Sequence, residues 1–371
     1  MKFIASSGTM LKHLQHASTV ISTNTVLPLL EDFLLEISKD SLLITATDLE
    51  TVIKIKMDIQ CSDSGSICIP AKILIDALKN LPEQPITFNI ENSFSVELTS
   101  DSGKYKIVGE SSDNYPKTPT PTDSSTLTIT SDALLSAINK SIYAVSNDDL
   151  RPAMMGVFFE IEKNTLRCVS TDAHRLVRYE RKDVTCKEKA GFIVPKKPLN
   201  ILKNLLPAST ESLEVHFNEK HFFVSVGELE LICRLIDARF PDYKVVIPQE
   251  SPYILTLNRT DFISALRRVN VFSNKSTNQV RFNIVGSNLE LTAEDVDLSF
   301  EGNEHMKCQY DGDDMLIAFN AKFLIEMLNT LDCVEVTLNL STPNRAGILK
   351  GDAPTEDEDY LMICMPLMVN N

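Results

Sequence analysis

The segment IPAKILIDALKNLP at residues 69–82 decides the fold, because the chain repeats its pattern twice more. The later copies are VPKKPLNILKNLLP at 194–207 and FNAKFLIEMLNTL at 319–331. Their lysines Lys72, Lys197 and Lys322 are spaced 125 residues apart each time. A repeat of this length suits whole domains and is too long for the unit of a solenoid. The sequence therefore predicts three copies of one domain.

Two further signals follow this spacing to within three residues. The pairs Tyr115-Pro116 and Phe240-Pro241 are 125 residues apart, and the segments TATDLE, VSTDAHRL and LTAEDVDL begin at Thr45, Val169 and Leu291. Junctions are indicated by three prolines among Ser, Thr and Asp in 111–126, and by Pro241, Pro248 and Pro252. These breaks predict domains at 1–121, 122–249 and 250–371.

Apolar spacing at i, i+3 and i+4 predicts two helices per copy. The predicted ranges are 7–21, 70–81, 131–146, 195–206, 258–273 and 320–331. Alternating runs between them predict strands, with hairpin turns at Lys163-Asn164, Gly227-Glu228 and Gly286-Ser287. We expect each copy to contain the order helix, strand pair, strand two times. This order gives an α+β class with helices packed on antiparallel sheets. Pro198 requires the fourth helix to begin near Lys197.

Charge is unevenly distributed between the predicted helices and the rest of the chain. The net charge is −15, which by itself argues against a nucleic-acid partner. The six predicted helices, however, hold 11 basic and 4 acidic residues. Basic helices within an acidic remainder form an organised field, although lysine's helix propensity explains part of the contrast. We expect positive charge on the helices from Lys72, Lys196, Lys197, Lys203, Arg267 and Arg268.

Several classes of protein are disfavoured by composition. Neither G-x-x-x-x-G-K nor G-x-G-x-x-G occurs, and no run of eighteen apolar residues could span a membrane. The eight cysteines show no C-x-x-C spacing and indicate free thiols in a reducing cytosol. The first residues do not read as a signal peptide. We expect a cytoplasmic protein with no metal and no cofactor.

No catalytic arrangement is convincing. Ser170, Asp172 and His174 lie within one short segment, where a turn with Asp172 as its capping residue is more plausible than a hydrolase triad. His13 and His16 share a helical face without a third metal ligand. Acidic runs at 294–297, 311–314 and 356–359 lack the register of a calcium-binding loop.

The chain resembles the bacterial DNA polymerase III beta subunit, the sliding-clamp family, over its full length. The resemblance rests on the opening MKF, on the segments at 27–30 and 46–50, and on Arg151-Pro152 before Gly156-Val157. It rests above all on VSTDAHRL at 169–176, RFPDY at 239–243 and Met365-Pro366. It implies a head-to-tail homodimer ring of six like domains, with helices around double-stranded DNA, sheets outside and no catalysis.

The resemblance also implies site residues and partners. A cleft for short apolar peptide motifs would be formed by Met154, Thr171, His174, Arg175, Leu176, Pro241, Val246, Ile363, Met365 and Pro366. The dimer joint would bring Tyr105 and Ile107 to Val271 and Phe272 of the partner. The implied partners are the polymerase III alpha subunit, the clamp loader, and other polymerases and repair proteins.

Three positions depart from the family pattern. Asn24 replaces a usual basic residue, Val245 replaces another, and Met368 stands where the tail usually has arginine, followed by Val369-Asn370-Asn371. These changes predict a weaker loop contact to DNA and a more apolar cleft edge. An alternative function is a three-domain scaffold that binds only proteins, and an enzyme is a distant third.

Overall fold

The computed structural model describes residues 1–22, 27–61, 63–351 and 355–369, so Asn24 and the last two asparagines lie outside the described residues. Within this part, the chain runs three times through one order of elements: a strand, a helix, five strands, a helix and three strands. This confirms the repeat, with two helices per copy and an α+β class. The order expected from sequence was incomplete, since it lacked the strand before each helix and a short strand in the middle of each copy.

The elements of the first copy are β1 (Lys2–Ser6), α1 (Ser7–Ser18), β2 (Asp32–Ser38), β3 (Ser41–Thr47), β4 (Thr51–Asp58), β5 (Gln60–Cys61), β6 (Gly65–Pro70), α2 (Ala71–Lys79), β7 (Pro85–Ile90), β8 (Ser95–Thr99) and β9 (Lys104–Val108). Those of the second are β10 (Ser125–Thr130), α3 (Ser131–Ser141), β11 (Gly156–Glu162), β12 (Thr165–Thr171), β13 (Arg175–Arg181), β14 (Thr185–Cys186), β15 (Ala190–Pro195), α4 (Lys196–Leu205), β16 (Ser212–Phe217), β17 (His221–Val226) and β18 (Leu229–Arg234). Those of the third are β19 (Tyr253–Asn258), α5 (Arg259–Val269), β20 (Gln279–Val285), β21 (Asn288–Asp295), β22 (Phe300–Lys307), β23 (Gln309–Asp311), β24 (Met315–Asn320), α6 (Ala321–Leu328), β25 (Glu335–Leu340), β26 (Gly347–Gly351) and β27 (Glu358–Cys364).

The helices begin where the sequence predicts and end earlier. Asn258 and Asn320 cap α5 and α6, because each side-chain Oδ1 accepts hydrogen bonds from two backbone N–H groups of the first turn. Pro198 lies in the first turn of α4, where an absent N–H leaves no intrahelical bond unmade. Two of the helices continue into 3-10 turns, at Ile142–Ala144 and Asn270–Phe272, which accounts for part of the predicted length.

All three predicted hairpin turns are confirmed. Lys163, Gly227 and Gly286 lie between β11 and β12, β17 and β18, and β20 and β21, and each has a positive φ near 55°. A left-handed residue at this position matches the twist of the two strands it joins. The ladders on both sides of these turns are antiparallel, as expected.

The chain forms two compact units, and their border divides the second copy. The first unit holds residues 1–132 and 197–235. One of its sheets has the order β5-β1-β7-β8-β9, and another contains β10-β16-β17-β18-β4-β3-β2-β6. Because β18 pairs with β4, strands of the first and second copies share this second sheet. Helices α1 and α2 pack against each other, and α1 also packs on β3 and β4.

The second unit holds residues 133–196 and 236–371. Its larger sheet has the order β15-β11-β12-β13-β27-β26-β25-β19-β23, and its smaller sheet has the order β22-β21-β20-β24. Here β13 of the second copy pairs with β27 of the third. Helices α5 and α6 pack together over a core that includes Phe262, Phe282 and Phe319. The domain borders at 121 and 249 stay predictions.

Candidate binding groove, basic helices and strand edges

An apolar groove of about 220 Å³ opens in the second unit. Eight of the residues expected at a peptide cleft line it: Met154, Thr171, Arg175, Leu176, Pro241, Val246, Ile363 and Met365. The structure adds Ala173, Asp242 and Tyr243 to this lining. Asp242 and Tyr243 belong to the RFPDY motif, so this motif could have predicted both residues at the groove. His174 and Pro366 are not among the lining residues.

The floor of the groove is formed where two distant strands meet. In the β13–β27 ladder, Leu176 lies directly opposite Ile363, and both side chains are almost completely buried. Both belong to a small apolar cluster that also contains Phe240 and Tyr243. Strand pairing thus brings residues from the middle and the end of the chain to one surface.

A tight turn before β13 shapes one side of the groove. The Asp172 carboxylate accepts hydrogen bonds from the backbone N–H groups of His174 and Arg175, both at 3.0 Å, while Ala173 has a φ of 75°. This confirms Asp172 as the capping residue of a turn. Asp48 makes the same pair of bonds in the first copy, to Glu50 and Thr51.

A short 3-10 turn at Tyr243–Val246 contributes another part of the lining. Tyr243 donates its hydroxyl hydrogen bond to Glu160 Oε2 at 2.7 Å, and Lys244 Nζ lies 3.2 Å from Glu160 Oε1. Burial raises the pKa of Glu160, but these two hydrogen bonds and the positive charges of Lys244 and Arg167 together outweigh burial, so the pKa lies below its usual range. Val245 is exposed in this turn, as expected of a more apolar edge.

Arg175 is held by fixed partners. Its guanidinium pairs with Asp172 at 3.0 Å and with Glu326 of α6, donates to the Tyr143 carbonyl at 2.6 Å, and lies 4.4 Å from the centre of the Phe323 ring. The side chain is only 8% exposed. Two carboxylates therefore balance its charge, and it braces the groove between the β12–β13 turn and α6. Glu326 had no signal in the sequence.

The segment after β27 is anchored to the second unit by its backbone. Met365 N–H donates to the His174 carbonyl at 2.8 Å, and Leu367 N–H donates to the Ala318 carbonyl at 2.8 Å. The Met368 carbonyl accepts a hydrogen bond from the Gln279 side chain at 3.0 Å, and the Met368 side chain is exposed. His174 therefore contributes through its backbone, and its ring stacks on Phe323.

The six basic residues expected on the helices have unequal freedom. Lys72, Lys203 and Arg267 are exposed, and Lys196 is half-buried with its Nζ 3.1 Å from Asn147 Oδ1. Lys197 pairs with Asp48 at 2.5 Å, and Arg268 pairs with Glu304, in which Nη2 and Oε2 are 2.7 Å apart. The hydrogen bond from Arg268 lowers the pKa of Glu304. Carboxylates therefore partly neutralise Lys197 and Arg268, and the expectation that all six residues supply positive charge stays a prediction.

The residues expected at a dimer joint lie at or beside sheet edges. Strand β9 ends the order of its sheet and β22 ends another. Tyr105 on β9 and Phe272 are each 40% exposed, and Val271 is more exposed still. Ile107 is only 7% exposed, so it can offer a partner its backbone but little side chain. The Phe272 ring covers β22 at Gly302, where an added Cβ would lie 2.6 Å from it.

Nothing in the described residues forms a metal cluster: no group of three or more His, Cys, Asp or Glu is placed to hold an ion. His13 and His16 lie on α1, and burial together with their mutual repulsion lowers the pKa of His13. None of the eight cysteines, which all lie within the described ranges, forms a disulfide. No helix in the described ranges is both long and apolar enough to cross a bilayer.

Three family models match consecutive parts of the chain. They describe the N-terminal, central and C-terminal domains of the DNA polymerase III beta subunit, and they match residues 1–119, 128–242 and 244–368. Among curated proteins, the beta sliding clamps of Vibrio cholerae and Chlamydia muridarum are each 26% identical to this chain. The first match covers 99% of this chain and all of the relative, and the second covers both chains completely.

Solved structures agree with these matches. The DNA polymerase III beta subunit of Thermotoga maritima is 27% identical, with a TM-score of 0.89 over 100% of both chains. That of Pseudomonas aeruginosa is 25% identical, with a TM-score of 0.93 over 99% of this chain and 100% of the other.

Fold and matches together define a clamp of three like domains. The chain belongs to the DNA polymerase III beta subunit family, which confirms the resemblance found in the sequence. Its function is that of a DNA sliding clamp, a processivity factor and not an enzyme.

Proposed function

We propose that two copies of this chain, each with domains at 1–121, 122–249 and 250–371, close head to tail into a ring around duplex DNA. The observation that carries this proposal is the pair of sheet edges β9 and β22, which belong to the first and third copies of the repeat. Unpaired edges recruit other strands, and pairing β9 with the partner's β22 at two equivalent joints satisfies both.

Charge supports this pairing. Strand β9 carries exposed Lys104, which pairs with Glu97, and exposed Lys106, whereas β22 carries Glu301 and Glu304 against the single Lys307, so the net charges of the two edges are opposite. Opposite signs on the two edges favour a head-to-tail joint over contact between two like edges, which would bring equal charges together. Exposed Tyr105, Val271 and Phe272 supply the apolar part of the joint.

The basic helices hold DNA without reading its sequence. Lysine and arginine neutralise phosphates at any position along a duplex, and phosphate contacts carry no sequence information. Lys72, Lys196, Lys203 and Arg267 contribute most, because Lys197 and Arg268 are paired with carboxylates. The acidic remainder of the chain disfavours DNA binding elsewhere.

The apolar groove binds short peptide motifs of partner proteins. A few buried apolar anchors supply most of the affinity of such docking, and methionines let one groove accept different side chains. The partners are the DNA polymerase III alpha subunit, the clamp loader, and other polymerases and repair proteins. The protein acts in the cytoplasm and needs no cofactor.

A charge exchange tests the ring joint. Lys106→Glu places equal charges at both joints of a homodimer, and so does Glu301→Lys in a second variant. Each variant alone should sediment as monomer at micromolar concentration, and an equal mixture of the two should restore dimers, because both joints of the heterodimer again pair opposite charges. A mixture that stays monomeric, or single variants that remain dimers, would contradict the pairing of β9 with β22.

The alternative scaffold function predicts a different result. A scaffold that binds only proteins needs no closed joint and no contact with DNA. Its peptide binding would persist, and the charge exchange would leave its oligomeric state unchanged.

A further inference from the structure

Two methionines are exposed in the described part of the chain, and both lie at the end that forms the groove. Met365 lines the groove and is 43% exposed, and Met368 is 85% exposed. Met10, Met327 and Met362 are fully buried. Accessible thioethers are the ones that oxidants reach. We propose that Met365 is an oxidation site, and that its conversion to the sulfoxide by hydrogen peroxide shuts the groove to apolar peptides. This inference rests on the peptide-binding function proposed for the groove.

The reaction is a two-electron transfer. A lone pair of the Met365 sulfur attacks one peroxide oxygen, the O–O bond breaks, and the sulfur keeps that oxygen as S=O. The remaining hydroxide takes up the proton lost from the transferred oxygen and leaves as water. Sulfur is oxidised by two electrons and peroxide is reduced by two. Methionine sulfoxide reductases reverse the change.

Among the described residues that line the groove, the side-chain donors already have acceptors. The Thr171 hydroxyl already donates to the Arg175 carbonyl at 2.6 Å, and the Tyr243 hydroxyl donates to Glu160. The Arg175 guanidinium is directed to Asp172, Glu326 and the Tyr143 carbonyl. Asp242, the other polar lining residue, carries only acceptors when ionised.

A sulfoxide at this position therefore opposes docking in either orientation. Turned inward, its oxygen is buried beneath the peptide without a partner. Turned outward to solvent, the side chain withdraws from the apolar lining. An unpaired buried polar group of this kind should weaken peptide binding about tenfold to hundredfold.

The effect should be local. Met365 N–H is bonded to the His174 carbonyl and Leu367 N–H to the Ala318 carbonyl, so the backbone on both sides of the sulfoxide stays anchored. Met154 also lines the groove, but it is half-buried within a 3-10 turn and is therefore less accessible than Met365. We expect it to oxidise more slowly.

The test uses the full chain and a fluorescein-labelled peptide, Ala-Ser-Leu-Ser-Leu-Phe, followed by fluorescence anisotropy. Hydrogen peroxide is applied at a dose that mass spectrometry shows to oxidise Met365 and Met368 and to spare Met154. Wild type, Met365→Leu and Met368→Leu are each compared with their own untreated samples. Leucine keeps the side-chain volume and cannot be oxidised at this position.

Wild type and Met368→Leu should lose affinity about tenfold to hundredfold on treatment, and Met365→Leu should keep its untreated affinity. Reductase treatment should restore wild-type binding. An unchanged affinity with Met365 fully oxidised, or an equal loss in Met365→Leu, would overturn the inference. Absence of binding before any treatment would instead refute the peptide-binding function of the groove, and the inference with it.

Discussion

Removing the Phe272 ring should dissociate the dimer. A phenylalanine presents about 200 Å², and Phe272 is 40% exposed in the single chain. A partner can therefore bury about 80 Å² of this side chain, which at about 25 cal/mol per Å² stabilises one joint by about 2 kcal/mol. A ring has two equivalent joints, so Phe272→Ala should weaken dimerisation by about 4 kcal/mol, or about a thousandfold.

Sedimentation equilibrium across a range of concentrations measures this dissociation constant. Leu150→Ala is the control, because Leu150 is an exposed apolar residue in a turn outside β9 and β22. Phe272 also covers Gly302, so thermal unfolding must be followed in parallel. An unchanged dissociation constant would refute the role of Phe272 in the joint. Loss of the folded monomer would show that Phe272 acts in its own core.

Lys72→Glu together with Lys203→Glu should weaken retention on DNA and reduce the salt slope by about one unit for each phosphate that is no longer neutralised, whereas an unchanged slope would remove these lysines from the DNA surface. Deleting residues 365–371 should abolish peptide binding in anisotropy and lower the free energy of unfolding by about 1–3 kcal/mol, since two backbone hydrogen bonds are removed; retained binding would contradict the groove. Burial, with Glu110 and Glu31 nearby, raises the pKa of Asp32 to about 6, so the destabilising contribution of Asp32 should disappear as pH falls from 7 towards 4. Asp32→Asn should then have a free energy of unfolding about 1.5 kcal/mol above that of wild type at pH 7.5, after halving the effect of the pKa shift for residual solvent contact, and this difference should vanish near pH 4. Glu36→Gln changes an exposed neighbour and is the control. A difference that does not depend on pH would show that titration of Asp32 is not its cause. Because Met368 stands where the family has arginine, peptides ending Leu-Ser-Leu-Phe and Leu-Asp-Leu-Phe should bind with similar affinity, and a large difference would indicate another basic group at this edge.

Local patterns predicted the local structure well. Periodicity located every helix, and three turn signals located their hairpins, because both depend on residues close in the chain. The last residues of the helices were predicted less well, since tertiary packing turned segments such as Ile142–Ala144 into 3-10 helix. Eight of the ten residues that the family motifs indicated for the cleft line one groove.

Contacts between distant residues could not be predicted. Lys197 and Asp48 are 149 residues apart, and no spacing rule links them. The Arg175–Glu326 pair likewise depends on how α6 packs against the β12–β13 turn. Pairing of β18 with β4 and of β13 with β27 joins neighbouring copies into shared sheets, which explains why three repeats form two compact units.

Retention on circular DNA tests the ring most directly. The protein is loaded by its clamp loader onto a nicked plasmid, the complex is separated by gel filtration, and half of the sample is then cut once with a restriction enzyme. A closed ring should stay with the circle at a salt concentration that dissociates simple electrostatic complexes, and should slide off after linearisation. Equal retention on circular and linear DNA, or none on either, would contradict the claim that this chain encircles duplex DNA.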